Sequence, residues 1–227
     1  MNSNNPSSKR LFRCLLLIFI SALVFVPVIF ADAGRKYAVI SLLVALLSVM
    51  LFGLGYDRKL VGAGRGVICA VLIALSVIGR FIPVFKPVSA VTILCALYLG
   101  RECGFLCGSL SALISDLSFG LGPWTPFQMF AWGLIGYVSG VLSKPLKAHR
   151  ALLLTFGALC GVLFSLIMDV WTVLWYNGSL ELSLYVSAIV TALPYTAVYS
   201  LSNIIFLSLL ARPFGEKLER INLKYGI

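Results

Sequence analysis

One apolar stretch of the chain, residues 151–176, holds a single charged side chain, Asp169. Roughly 20 apolar residues in a helix are enough to cross the hydrocarbon core of a bilayer. Further stretches are also continuously apolar, without the alternation of inward and outward residues that a membrane β-barrel requires. We therefore predict helical spans at about 11–31, 37–55, 66–82, 87–100, 103–119, 125–143, 151–176 and 184–211.

The composition agrees with a membrane solvent. Hydrophobic residues make up 60% of the chain, charged residues 11%, and the mean hydropathy is +1.02. Since a soluble domain is about 25% charged, this chain lacks the polar groups for a water-soluble surface. We expect an all-α integral membrane protein with a tail and N-terminal hairpin (1–55), a basic loop (56–65), a six-helix core (66–212) and a C-terminal tail (213–227).

The distribution of basic residues predicts the orientation. With the N-terminus inside, all but four of the 18 Lys and Arg residues fall in cytoplasmic segments. The exceptions are Arg35, Lys36, Arg80 and Lys86. This positive-inside bias places both termini in the cytoplasm and accounts for the net charge of +10 without a nucleic-acid partner.

The first span has a second interpretation. Its basic start, apolar centre and Ala-x-Ala ending at Ala33 are also typical of a cleavable signal peptide. Arg35 and Lys36, just beyond that point, are unfavourable for export and favour a retained helix. Cleavage would leave the topology of the remaining spans unchanged.

No cofactor or metal site is predicted. All six cysteines lie in or beside apolar runs, where a cysteine behaves as a small hydrophobe. Cys103 and Cys107 share a helix face, but no histidine or further cysteine is near them in sequence to complete a zinc site. His149 lies in a basic loop and is expected at the surface.

Polar and aromatic groups from distant spans are predicted to meet in the outer half of the bundle. Burying an ionised side chain in the bilayer costs about 2.5–3.5 kcal/mol, so the two intramembrane aspartates need a reason. Ligand pockets combine apolar walls with a few placed polar groups. We therefore predict a substrate site formed by Arg80, Asp116, Trp124, Thr125, Gln128, Asp169, Tyr195 and Asn203.

The segment FGLGPWTPFQMFAWGLIG, residues 119–136, is the clearest local sign of such a site. Gly120 and Gly122 permit a sharp loop, and Pro123 and Pro126 suit the start of a helix near Trp124. This corner is expected to present Trp124 and Gln128 to the interior of the bundle.

Structural alternatives stay open for several of these residues. Trp171, Trp175 and Tyr176 are equally typical of an interfacial aromatic belt. Asp116 or Asp169 can instead form an ion pair with Arg80 or Lys86. Asn203 can hydrogen-bond a neighbouring helix as readily as a ligand.

Catalytic motifs do not support a membrane enzyme. Neither aspartate has the Gly-x-Gly-Asp context of intramembrane aspartyl proteases, and His149 lies on the wrong side to serve GSLSAL at 108–113 as a base. No Gly-x-x-x-x-Gly-Lys loop is present, so the chain cannot drive transport with ATP by itself.

Residues 65–212 resemble the substrate-binding S component of an energy-coupling factor (ECF) vitamin transporter. The resemblance rests on Ala70-x-x-x-Ala74, on GRFIPVFKPVSA at 79–90 and on the 119–136 segment. It implies a six-helix S-component bundle in a bacterial plasma membrane, here preceded by an additional two-helix hairpin. It further implies that Ala70 and Ala74 dock on a transmembrane coupling subunit, that two ATPase subunits drive uptake, and that loops 80–90, 119–125 and 176–184 frame a vitamin-type substrate.

The GPWTPFQM-type segment is similar to S components assigned to cobalamin-type corrinoids, so a cobalamin-like substrate is expected. A queuosine precursor, dimethylbenzimidazole or another vitamin suits the same aromatic pocket chemistry. A stand-alone secondary transporter or membrane scaffold, and an intramembrane enzyme, are the alternative functions. Ion-coupled carriers often carry paired repeats, and none is evident in this chain.

Overall fold

The computed structural model describes residues 64–225, together with 12, 14–20, 22, 43, 47 and 50. All regular structure in that part of the chain is helical, which confirms the predicted all-α class. The helices from residue 64 onward are α1 (Gly64–Gly79), α2 (Val88–Leu99), α3 (Arg101–Phe119), α4 (Thr125–Val141), α5 (Ser143–Ala148), α6 (Arg150–Asn177) and α7 (Leu182–Tyr225).

Two of these helices, α6 and α7, are long and apolar enough to cross a membrane, and α1 and α2 are shorter apolar helices. Six of the predicted spans correspond to α1 to α4, α6 and α7. The short helix α5 was not predicted. Helix α7 passes through Pro213 and continues to Tyr225, so the residues assigned to a C-terminal tail are helical as far as Tyr225.

Helix α2 lies at the centre of the bundle. All of its residues except Tyr98 are buried, and it contacts α1, α3, α4, α5, α6 and α7. A helix that is apolar on every side is either a core helix or a lipid-facing span, and the contacts of α2 make it a core helix. The surrounding helices are therefore organised around α2, with the candidate site at its N-terminal end.

Helices α3 and α4 pack closely because glycines face each other across their interface. A side chain added at Gly104 would meet the backbone of Gly136, and one added at Gly136 would meet the backbone of Gly104. Without a hydrophobic force between helices in lipid, such close backbone approach supplies the packing energy. This contact fixes the position of Gln128 and Trp132 on α4 relative to Asp116 on α3.

Most of the predicted N-terminal hairpin, including the possible cleavage site at Ala33, lies outside the described residues. Residues 14–20 are helical, and Leu16 and Ile20 are buried in the same hydrophobic core as α2. The described part of the first span therefore packs against the bundle.

Candidate ligand-binding site

The site is built around Arg80, which follows α1 directly. Its backbone N–H bonds to the carbonyls of Ser76 and Val77, so the last turn of α1 sets the direction of the side chain. The guanidinium is buried and points across the bundle to α3 and α4. We refer to this side of the molecule as the Arg80 end.

Arg80 joins two helices through its two terminal nitrogens. Nη1 donates to Asp116 Oδ1 at 2.6 Å, and to Ser115 Oγ and the Ala112 carbonyl, all on α3. Nη2 donates to Gln128 Oε1 on α4 at 2.7 Å. A buried charge is tolerated when it is paired and hydrogen-bonded, and the ion pair with Asp116 together with these further acceptors meets that condition.

Asp116 lies behind Arg80 and is fully buried. One carboxylate oxygen accepts from Arg80, whereas no described residue donates to Oδ2. The structural alternative for Asp116, an ion pair with Arg80, is therefore what the structure contains. Its effect on the site is to hold the guanidinium in place, with Gln128 on the other side.

A cavity of about 70 Å³ opens beside this cluster. One wall is aromatic: Trp132 and Phe164 stack with ring centroids 4.8 Å apart, and Tyr199 meets Phe164 edge-on at 5.2 Å. The Arg80 guanidinium lies 5.0 Å from the Trp132 ring centroid. The complete lining consists of Arg80, Lys86, Val88, Ser89, Gln128, Trp132, Phe164, Tyr199 and Asn203.

The loop between α1 and α2 brings Lys86 to the cavity. Phe85 N–H bonds to the Pro83 carbonyl at 2.7 Å, which closes a three-residue turn with Val84 at its centre and a φ of 64°. Ser202 Oγ on α7 donates to the Lys86 carbonyl at 2.9 Å and anchors the loop. Burial, and secondly the nearby charge of Arg80, lower the pKa of the half-buried Lys86.

Three of the eight predicted site residues line the cavity: Arg80, Gln128 and Asn203. Asn203 also donates to the Gly157 carbonyl on α6 at 2.9 Å, so it both faces the cavity and joins two helices. Asp116 acts on the cavity through Arg80.

The other four predicted residues do not line it. Thr125 is fully buried and accepts a hydrogen bond from Gly122 N–H at the start of α4. Trp124 meets Trp171 edge-on at 6.0 Å, away from the cavity lining. Asp169 is buried on α6, and Tyr195 is 67% exposed.

None of the three residues of the aromatic wall was predicted from the sequence. Trp132 follows Gln128 by four residues and Tyr199 precedes Asn203 by four, so each shares a helix face with a predicted residue. That spacing was the available signal. The sequence contains no such signal for Phe164, because a phenylalanine within an apolar run is equally stable facing lipid.

Away from the cavity, Ala70 and Ala74 are exposed on α1. Val67, Val71 and Ile78 are exposed on the same helix, so this part of α1 presents an apolar surface to its surroundings. Residues four apart share a helix face, which makes the two alanines adjacent there.

Four cysteines from α1, α2 and α3 lie close together in the bundle: Cys69, Cys95, Cys103 and Cys107. The thiols of Cys69 and Cys95 both donate to the Cys103 carbonyl, at 3.7 and 3.6 Å. All four are free thiols. Within residues 64–225 and the described part of the N-terminal segment, no group of three or more His, Cys, Asp or Glu is placed to hold a metal ion.

Comparison with known proteins gives one family. The family model described as ECF-type riboflavin transporter, S component, matches residues 64–220. The matched range starts at the first residue of α1 and ends within α7, so it includes every residue that lines the cavity. Neither a curated protein nor a solved structure matches the chain.

Proposed function

The chain belongs to the family of S components of ECF-type riboflavin transporters, and from this premise we propose that it captures riboflavin at the Arg80 end. An S component is the substrate-binding subunit of a vitamin transporter.

The observation that carries the proposal is the aromatic wall beside two side-chain amides. Trp132, Phe164 and Tyr199 supply ring faces and edges for a flat ligand. A flavin is flat and has an imide edge with two carbonyl acceptors and one N–H donor. Gln128 and Asn203 both line the cavity, and each amide offers a donor and an acceptor to such an edge.

Arg80 adds the polar anchor. Its guanidinium has five N–H donors, which can serve ligand carbonyls as well as Asp116 and Gln128. Because Asp116 balances the charge of Arg80, this side chain offers strong donors without requiring an anionic ligand. This suits riboflavin, whose ring system and ribityl chain are uncharged at neutral pH.

The cavity volume limits the size of the ligand and indicates that the site changes conformation on binding. At about 70 Å³ it is smaller than the roughly 300–1,000 Å³ of pockets that hold drug-sized ligands. Capture therefore requires the cavity to enlarge, most directly by movement of the loop at 80–87. A corrinoid is several times larger than a flavin and would demand a much greater opening. The expected cobalamin-like substrate has no support from the family match, whose name points to riboflavin.

A titration of the purified full-length protein tests the substrate. Riboflavin fluorescence should be quenched on binding, because stacking on an aromatic wall opens a non-radiative path. Trp132→Leu should weaken binding by at least about tenfold, equivalent to roughly 1.4 kcal/mol of lost stacking. Trp175→Leu removes a tryptophan that is 42% exposed and outside the cavity lining, and should bind normally.

Parallel titrations with cyanocobalamin and dimethylbenzimidazole separate the alternatives. Saturable binding of either one, with no response to riboflavin, would contradict the flavin assignment. Equal weakening by Trp132→Leu and Trp175→Leu would show that the loss is not specific to the cavity.

We also propose that Ala70 and Ala74 form the docking surface for a transmembrane coupling subunit, with two ATPase subunits completing an importer. Both alanines are exposed, and small side chains allow a partner helix to approach closely in lipid. The positive-inside distribution supports cytoplasmic termini, with the Arg80 end facing outward.

Co-purification tests the docking surface. Ala70→Leu or Ala74→Leu should abolish recovery of the coupling subunit from co-expressing cells while riboflavin binding is retained. Ala197→Leu, at an exposed alanine on α7, is the matched control and should leave assembly intact. Normal assembly of both α1 variants would contradict the docking surface, and uptake that needs no ATPase would contradict the importer proposal.

A further inference from the structure

A second cavity, of about 290 Å³, lies at the opposite side of the bundle from Arg80. It is formed where the C-terminal half of α2 meets α5, the start of α6 and the stretch of α7 near Ser208. We call this side the Lys147 end. None of its lining residues is shared with the cavity at the Arg80 end.

Cations from separate helices converge on the rim of this cavity. Lys147 from α5, Arg150 from α6 and Arg212 from α7 all line it. Arg212 is engaged by Glu216 at 3.1 Å, on an exposed part of α7. Of the described cations that line this cavity, Lys147 and Arg150 are therefore the two available to a ligand.

Contacts within the protein position these two cations. Lys147 Nζ lies 5.1 Å from the centre of the Tyr98 ring, a cation–π contact that holds an ammonium group with three N–H donors at the rim. Arg150 Nη2 donates to the Ser208 carbonyl at 3.2 Å, and the guanidinium has four further donors. Both side chains thus have donor capacity for a phosphate group.

The floor of the cavity is apolar. Leu94, Leu97, Leu146 and Leu153 are buried and line it beneath the cations. Nearby on the outer surface, Leu152 and Leu209 are exposed, as expected of residues that contact lipid chains. A ligand that fills this space must therefore combine a negative head with an apolar body that continues along the bundle surface.

We propose that this cavity binds an anionic phospholipid, with its phosphate between Lys147 and Arg150 and the start of its acyl chains over the leucine floor. Basic pockets between membrane helices are established sites for anionic headgroups. Charge complementarity favours a lipid of this kind over a zwitterionic one, and the apolar floor favours a lipid over free phosphate.

Native mass spectrometry of the full-length protein can test the assignment. The protein would be prepared with equal amounts of phosphatidylglycerol and phosphatidylcholine carrying the same acyl chains. Wild type should retain phosphatidylglycerol preferentially. Lys147→Gln combined with Arg150→Gln should lower that retention about tenfold, because two headgroup contacts are lost.

The matched control is Lys217→Gln combined with Arg220→Gln. Both residues are exposed on α7 near the same end and do not line the cavity, so the control removes equal charge. It should retain phosphatidylglycerol as wild type does. Riboflavin titration of all three proteins provides an independent check of folding, since the Arg80 end is untouched.

Several results would overturn the assignment. Equal loss of phosphatidylglycerol in both double variants would indicate general surface attraction, and equal retention of the two lipids would rule out charge recognition. Displacement of the lipid by millimolar inorganic phosphate would assign the site to free phosphate. Displacement on assembly with the coupling subunit would assign it to that protein.

Discussion

The two ends of the bundle use cations in opposite ways. At the Arg80 end, a buried guanidinium is bonded to Asp116 and Gln128 beside a cavity of about 70 Å³. At the Lys147 end, exposed cations surround a cavity of about 290 Å³. Burial, more than the number of charges, therefore decides whether a cation is bound to partners within the protein.

The physical cause is the cost of desolvation. A charge removed from water must recover its lost hydration from fixed partners, so a buried guanidinium can take only a narrow range of geometries. An exposed charge keeps water as an alternative partner and stays adaptable. We therefore expect the Arg80 end to be selective in shape and the Lys147 end to be selective mainly in charge.

The largest expected effect separates a buried ion pair from an exposed one. Arg80→Met leaves Asp116 as an unpaired buried carboxylate and should destabilise the protein by about 3–5 kcal/mol. Arg212→Met breaks a pair whose side chains are 86% and 57% exposed, and should change stability by less than about 1 kcal/mol. Thermal unfolding of the two variants in the same detergent measures the difference.

A double variant keeps this prediction testable if Arg80→Met is too unstable to purify. Arg80→Met combined with Asp116→Leu removes both charges and should recover much of the lost stability. The double variant should nevertheless bind riboflavin weakly, because the anchor for Gln128 is gone. Equal instability of the single and double variants would show that packing, and not charge, explains the effect.

The sequence was sufficient to predict which helices meet at the Arg80 end, but not which of their faces do. Span limits and the positive-inside pattern placed Arg80, Asp116 and Gln128 at one level, and the structure joins them by hydrogen bonds. These residues were identifiable because a polar group in an apolar run has few stable positions other than the bundle interior.

The rotation of each helix was harder to predict. The sequence predicts Tyr195 as a site residue, but Tyr195 is exposed, whereas Tyr199, one turn further along, lines the cavity. In a soluble protein, the polar face of a helix shows which side faces water and therefore how the helix is rotated. In a membrane protein, lipid and core are both apolar, so the sequence pattern no longer distinguishes the buried face from the lipid-facing one. Helix α5 was missed for a related reason, since its six residues are too few to show a period.

A smaller effect is expected from the loop that closes the Arg80 end. Val84 is a β-branched residue with a φ of 64°, at the centre of a turn that is strained for any L-residue. Val84→Gly should relieve that strain and, after the greater entropy of the unfolded chain is subtracted, stabilise the protein by about 1 kcal/mol. Thermal unfolding measures the gain.

Val84→Ala is the control for this change, because alanine retains a Cβ and with it most of the strain. It should unfold close to the wild-type temperature. A lower unfolding temperature for Val84→Gly than for Val84→Ala would mean that the added entropy of the unfolded glycine chain outweighs the strain relieved in the turn. The Lys147 end should be unaffected, so lipid retention by Val84→Gly should match wild type.

The smallest predicted effect is a pH dependence at Lys86. Its pKa is lowered by burial and secondarily by Arg80, so between that lowered value and the ordinary lysine pKa the unfolded chain binds more protons than the folded one. The contribution of Lys86 to stability should therefore rise with pH across this alkaline window, whereas below it both states are protonated and the cost is constant. Other groups titrate in the same window in every variant, so the test is a difference: in thermal unfolding from pH 8 upward, the slope of stability with pH should be more positive in wild type and in Lys217→Met, a substitution at an exposed lysine, than in Lys86→Met. The same slope in all three proteins would remove Lys86 as the cause and leave the partial burial of this side chain without a measurable cost.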